Sequence, residues 1–233
     1  GQVIRQLAHL VTYGDEDEIN ATDKNDISGL FTGGKEDWIS SITTICTPNN
    51  GTTLFHLAEQ ANVVKPIGRA ADFGLAVIGR TFIHGRLVDF QLEQYGLTPL
   101  RGEKKADKII TSMNRMRDTD DNVLSDLSFR GAFELNNRIK ISKNINYFCY
   151  TSNGCNDDYK PNKIKFPILR PLSKLISQKD LPKDQLGLTF DDSWRSNDGL
   201  VNTPSGKNPI TEPSKEYDGI ICVNDYAAIS PFQ

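Results

Sequence analysis

The chain has 233 residues, a formal net charge of −3, and 37% hydrophobic and 24% charged residues, proportions of a folded chain and well away from disorder. Its lysines and arginines are scattered along the sequence, which gives no electrostatic footprint for nucleic acid or an anionic membrane. No apolar run approaches the roughly 20 residues of a membrane span.

Residues 1–14 read as an amphipathic helix, with Val3, Ile4, Leu7, Leu10 and Val11 on one face and Gly14 as the stop. An acidic, polar loop follows from Asp15 to Gly34. The segment from Trp38 to Cys46 is rich in β-branched residues and ends at Pro48, which predicts a buried parallel strand. A long mixed apolar stretch runs from Thr52 to Leu97, and residues 99–122 are charged and read as a surface excursion.

Leu127, Ala132, Leu135 and Ile139 form a second helical stripe that ends near Ser142, and Ile145–Tyr150 reads as a short strand. Residues 151–186 are rich in Pro, Lys and Asn and predict a long loop with one or two helical turns. Gly219–Val223 is a last strand or a buried turn. Alternating strands and helices with long insertions predict a mainly parallel α/β sheet covered by helices. The reading is one domain over 1–233, with 52–122 as a lid-like and surface insertion within it. Val63, Val64, Phe73, Leu75, Val77, Ile78, Phe82 and Ile83 make 61–85 a lid or acyl-pocket wall, with an ordinary core helix as the near-equal alternative.

Four cysteines, Cys46, Cys149, Cys155 and Cys222, lack zinc-site spacing. Cys149 and Cys155 flank a turn-rich loop and are near enough in sequence to close a small ring. Asn20 and Asn50 head Asn-x-Thr sequons, glycan acceptors in a secretory pathway, and a secreted location is the expectation they favour. Only three histidines occur, His9, His56 and His84, and none pairs at metal-ligand spacing. Each reads more readily as a packing or surface residue than as a catalytic base. Two turns stand out: Thr47-Pro-Asn-Asn-Gly51, after a predicted strand, and Asn197-Asp-Gly199, before Leu-Val-Asn-Thr203. Loops after parallel strands are where open α/β sheets place function, although Pro, Asn and Gly are also what any tight turn requires and Asp198 serves equally as a cap.

Taken together, these turns and their neighbours resemble the staphylococcal and thermoalkalophilic bacillar lipases. Gly1-Gln2-Val-Ile-Arg5 resembles the end of that family's nucleophile elbow, Gly-His-Ser-x-Gly-Gly-Gln, and places the serine three residues before Gly1. Leu30-Phe-Thr-Gly-Gly34 and the run from Ser41 to Thr53 are similar to the family's Leu-Phe-x-Gly-Gly and Thr-Thr-x-x-Thr-Pro-His-x-Gly segments, with Asn49 where the family has His. Val88–Leu97, Ser125–Ala132 with Leu135–Asn137, Ile145–Thr151 and Asp192–Thr203 follow in the family's order, the last resembling its Asn-Asp-Gly-x-Val-Asn-Thr loop.

The resemblance implies a partial α/β-hydrolase fold and a serine-type carboxylic ester hydrolase acting on triacylglycerol or related lipid esters. Asp198 matches the triad aspartate, which orients the histidine and stabilises its imidazolium. Asp126 matches an aspartate that in bacterial members helps bind a structural zinc, beside two histidines and a second aspartate that fall before Gly1. Family calcium ligands lie largely around the catalytic histidine, so zinc and calcium are expected only of a longer protein. No histidine follows Asp198, and the triad order of the family is Ser, Asp, His. The expectation is therefore an internal fragment that hydrolyses no ester by itself; the alternative is a non-catalytic, lipase-like binding protein. A lipid ester is the expected partner, with no nucleic acid.

Overall fold

A computed structural model describes residues 1–60, 123–164, 167, 169–216 and 226–232. The chain separates into two compact units, Gly1–His56 with Leu127–Gln233, and Leu57–Asp126. The predicted lid stretch at 61–85 and the Gly219–Val223 segment lie outside the described residues.

The larger unit is built on parallel strands β1 (Ser41–Ile45), β2 (Asn146–Ser152), β3 (Ser214–Glu216) and β4 (Tyr226–Phe232). Their order in the sheet is β1-β2-β4-β3, and every described pairing is parallel. In the β1–β2 register Ser41 sits opposite Asn146 and Ile45 opposite Tyr150, so both strands point their carboxyl ends to one edge. Among the described residues the α-helices are α1 (Gln2–Tyr13), α2 (Glu16–Ala21), α3 (Thr53–Gln60), α4 (Val123–Asp126, in the Leu57–Asp126 unit), α5 (Phe129–Arg138), α6 (Leu169–Ile176) and α7 (Thr203–Lys207). Parallel strands need long crossovers, and α/β domains fill them with helices.

The fold class is the one the sequence predicts, but several details differ. β1 is shorter than Trp38–Cys46 and buries one face only: Ile42 and Thr44 are buried while Ile45 is 71% exposed. In α1 the buried residues are Arg5, Ala8 and Val11, whereas Val3 is 82% exposed. A period-of-three stripe that includes a cation won over the apolar stripe because polar partners wait for Arg5 beneath the helix. α5 starts after Leu127, where the Ser128 hydroxyl accepts the Gly131 amide at 3.0 Å and caps it.

Cys149 and Cys155 are both free. Cys149 is a core residue whose sulfur takes the Thr44 hydroxyl at 3.0 Å, while the Cys155 sulfur lies 3.6 Å from Ser173 Oγ and 3.5 Å from Ser177 Oγ. Nor does Asn50 offer itself as a glycan acceptor in the folded chain. It is buried, its amide donates to the Asn208 carbonyl at 2.8 Å, and its oxygen accepts the Ile210 amide at 2.8 Å.

Two apolar clusters fix the elements that matter for the site. Ala8, Ile42, Ile145, Tyr147 and Cys149 weld α1 to the sheet. Phe129, Leu188, Phe190 and Trp194 form the second, with Phe129 and Phe190 ring centroids 4.9 Å apart and Phe190 and Trp194 4.7 Å apart. Tilted aromatic pairs at this distance add to the burial term. They anchor the turn Asp192–Arg195, which leads directly into Asn197-Asp-Gly199.

Candidate functional site

Asp198 stands on a tight turn closed by its own backbone and side chain. Its amide donates to the Val201 carbonyl at 3.2 Å, and its Oδ1 accepts the Leu200 and Val201 amides at 2.9 and 2.8 Å. One carboxylate oxygen therefore caps the turn, as the plain structural reading of the sequence expected. Gly199 adopts φ +109°, and a Cβ there would come within 2.9 Å of Leu169, so both conformation and space call for glycine.

On either side the turn is gripped by a wholly buried asparagine. Asn197 Oδ1 accepts the Gly199 amide at 2.9 Å, while its Nδ2 donates to Ser177 Oγ and the Arg195 carbonyl, each at 2.9 Å. Asn202 Oδ1 accepts the Thr53 amide at 2.9 Å, and its Nδ2 donates to Thr53 Oγ1 at 2.9 Å and to the Trp194 carbonyl. Asn202 thus supplies a donor-satisfying contact at the start of α3, and Thr52 Oγ1 adds a bond to the Leu200 carbonyl at 2.7 Å.

The turn lies over the carboxyl edge of the sheet. Thr203 Oγ1 donates to the carbonyl of Ser152, the last residue of β2, at 2.9 Å. Cys46, the residue after β1, has φ +49° and places its sulfur 3.2 Å from Ser152 Oγ. Its thiol is pushed up from the ordinary value by burial; the Ser152 hydroxyl opposes that shift, and the Asp198 carboxylate beside it adds to it. Cys46, after the end of β1, is therefore a neighbour of Asp198, whose turn is bonded through Thr203 to the end of β2.

The Thr47–Gly51 turn meets the start of α1 at the same edge. A Cβ on Gly1 would fall 1.9 Å from Thr47 Oγ1, so only glycine permits this approach. Gln2 Nε2 donates to the Pro48 carbonyl at 3.1 Å. Beneath them Arg5, 3% exposed, donates to Asn49 Oδ1 at 3.3 Å and to Asn136 Oδ1 at 2.7 Å. Asn136 Nδ2 returns a bond to the Asn49 carbonyl at 2.8 Å. Asn49, which replaces the histidine of the resembled motif, is wholly buried in this network. Its side chain receives Arg5 of α1 and its backbone carbonyl receives Asn136 of α5, so Asn49 ties the two helices together.

The structure thus gathers Gly1, the Thr47–Gly51 turn and Asp198 at one sheet edge. Asp126 belongs to the Leu57–Asp126 unit, at the end of α4, where its side chain is exposed. Among the described residues no group of three His, Cys, Asp or Glu is placed to hold a metal ion, so those residues do not make up the four-ligand set of a structural zinc. His9 packs on Tyr13 with ring centroids 5.2 Å apart, and its Nδ1 accepts the Lys140 amide at 3.1 Å. His56 packs on Phe129 at 5.1 Å. Both are held below the ordinary imidazole value by burial. The packing roles predicted for these two histidines agree with their surroundings. The asparagine grip on Asp198 escapes a sequence reading, because an asparagine near a glycine looks the same whether it closes a turn or anchors one. No helix among the described residues is long and apolar enough to cross a membrane.

Comparison with known proteins is consistent across sequence and structure. Residues 1–220 match the family model described as "Lipase-like, C-terminal domain". The chain is 32% identical over 216 residues to Lipase 1 of Staphylococcus aureus, covering 91% of this chain and 30% of that protein. It is 30% identical over 222 residues to the lipase of Staphylococcus hyicus, covering 94% of this chain and 32% of that one. The solved structure of EstA from Clostridium botulinum superposes with a TM-score of 0.79 at 31% identity, over 99% of this chain and 55% of that one. The chain therefore spans about a third of the length of these curated relatives.

Proposed function

The chain belongs to the lipase-like C-terminal domain family, and on that premise we propose that it is part of a serine-type carboxylic ester hydrolase acting on triacylglycerol or related lipid esters. The observation that carries this reading is the convergence of Gly1, the Thr47–Gly51 turn and Asp198 at the carboxyl edge of parallel strands, where open α/β sheets gather functional loops. Asp198 is the triad aspartate. Two backbone amides hold Oδ1, and this fixes the carboxylate that is to receive an imidazole N–H. Its work is to hold that imidazole in the correct tautomer and to stabilise the imidazolium formed when the serine is deprotonated. The serine attacks the ester carbonyl to give an acyl-enzyme, which water then hydrolyses. The rigid start of α1, pinned by Gly1 and Gln2 to the Thr47–Gly51 turn, seats the elbow from which the serine projects.

The family resemblance also suggests that Asp126 is one ligand of a structural zinc completed by residues other than the described ones. Zinc and calcium, on this reading, brace the fold, and acyl transfer rests on serine, histidine and aspartate. A secreted location is part of the same proposal, by analogy with the resembled enzymes.

By themselves the 233 residues offer no histidine after Asp198, so the isolated chain is inactive. The test is hydrolysis of a short-chain p-nitrophenyl ester, with and without a fluorophosphonate. Residues 1–233 should give no inhibitable turnover, and the same residues joined to the part of the Staphylococcus hyicus lipase that runs up to and through the nucleophile elbow, oxyanion loop included, and to its histidine-bearing carboxyl-terminal segment should give it. Inhibitable turnover by the isolated chain would contradict the reading. A folded, inactive chimera would favour a non-catalytic binding protein.

A further inference from the structure

Basic residues that are scattered in the sequence converge in the structure on one open cavity of about 690 Å3. Among the described residues its wall carries Lys160, Arg170, Lys174, Lys179 and Arg195, against a single carboxylate, Asp158. Asp158 is already engaged with Lys160 at 3.6 Å. Lys174 and Lys179 are exposed, and neither makes an ion pair or side-chain hydrogen bond to the described residues.

Arg195 is the built element of this wall. Its side chain is only 13% exposed, Nε donates to the Ser177 carbonyl at 3.1 Å, and the guanidinium lies 4.2 Å from the centre of the Tyr159 ring. One further contact, Nη1 to Asp192 Oδ1 at 3.4 Å, leaves donors of the planar fork unused by the described residues. Tyr159 sits at φ +61°, held there by a turn in which the Asn156 amide donates to the Lys160 carbonyl at 2.9 Å and the Lys160 amide to Asn156 Oδ1 at 2.7 Å.

We propose that this cavity takes the phosphate of anionic lipid head groups and so docks the protein on a negatively charged lipid surface. Its volume falls within the roughly 300–1,000 Å3 of ligand sites, larger than a lone anion needs. Arginine and lysine are the residues that recognise phosphate, the first through its fork and the second as a point charge. Among the described residues of the wall Tyr159 is the single aromatic, and Arg195 lies against one of its faces, so there is no row of aromatic platforms of the kind that single-stranded nucleic acid stacks on. The Arg195 carbonyl accepts the Asn197 side chain at 2.9 Å, so this wall and the Asp198 turn are one continuous loop. Only the choice of a lipid surface as the source of phosphate rests on the hydrolase reading; the anion site itself does not.

The test is flotation of the full chain with vesicles of phosphatidylcholine alone or mixed with phosphatidylglycerol. Binding should require the anionic lipid and fade as salt rises from about 0.05 to 0.5 M, where screening shortens severalfold in range. Lys174→Gln with Lys179→Gln should weaken it roughly thirtyfold, at about fivefold per neutralised cation. Lys24→Gln with Lys143→Gln, which leaves the cavity wall intact, should bind as the unmodified chain does. Equal binding to neutral vesicles, or full binding by the Lys174/Lys179 variant, would overturn the proposal. So would displacement by a few millimolar inorganic phosphate, which marks a free-anion site, or tighter capture of a single-stranded oligonucleotide. No ester turnover is read, so loss of this proposal and loss of the hydrolase reading are separate results.

Discussion

Asn197, wholly buried, accepts the Gly199 amide at 2.9 Å and so spans the residue between them, Asp198. The same carboxamide donates to Ser177 Oγ and the Arg195 carbonyl, which makes it the joint between the Asp198 turn, α6 and the preceding helical turn. Asn197→Ala strands several buried polar groups at once, and each such group costs about 1–3 kcal/mol when left unpaired. The variant should unfold at clearly lower temperature, by calorimetry or circular dichroism. Asn197→Asp keeps the acceptor but introduces a charge at a site with no exposure, and should lose as much. A thermal transition unchanged in both variants would mean that the turn holds itself.

Arg5 tests the joint on the other side of the edge. Arg5→Ala leaves the oxygens of Asn49 and Asn136 without the donors they have now, at about 1–3 kcal/mol for each buried acceptor left unpaired. Arg5→Lys cannot reach both with a single ammonium and should recover only part of the loss. The measurement is urea unfolding of the three proteins, and equal midpoints would show that this network does not hold α1 in place.

His56 sets a pH dependence whose sign follows from its burial. Desolvation holds its imidazole below the ordinary value, so the unfolded chain binds the proton more readily than the folded one. Stability is then full above the unfolded-state value of about 6.5 and falls as pH drops below it. His9, lowered first by burial as well, acts in the same direction. His56→Phe keeps a ring against Phe129 and removes one of the two titrations. Melting temperature should fall less steeply between about pH 6.5 and 5.5 in that variant than in the unmodified chain, and identical slopes would show that His56 is not strained by its surroundings.

Most of the architecture was legible because it follows from local pattern. The β-branched run before Pro48 gave β1, Ile145–Tyr150 marked β2, and the strand–helix alternation gave the parallel sheet. Which face each element buries was less legible, since that depends on partners distant in sequence. Val3 and Ile4 look like a core stripe, yet Arg5 is buried because Asn49 and Asn136 lie 44 and 131 residues away to receive it. A buried arginine satisfied by two asparagines has no periodic signature. The basic cavity escaped for the same reason: Lys160, Arg170, Lys174, Lys179 and Arg195 carry no local spacing that marks a cluster. The Asn197-Asp-Gly199 turn could be located from its residues, but its anchoring by Asn197 and Asn202 needed the fold.

Asp198 is proposed as the triad carboxylate, and its surroundings allow that role to be separated from turn capping. Asp198→Asn retains Oδ1 for the Leu200 and Val201 amides, so the fold should stand, while the ability to stabilise an imidazolium is lost. The decisive measurement is kcat of the assembled hydrolase carrying Asp198→Asn, alongside its melting temperature. The expected result is a loss of roughly 10⁴-fold in kcat, the size seen when a triad histidine is left in the wrong tautomer, with melting little changed. An Asp198→Asn enzyme that melts normally and turns over at a near-normal rate would contradict the triad role, leaving Asp198 as the cap of a tight turn.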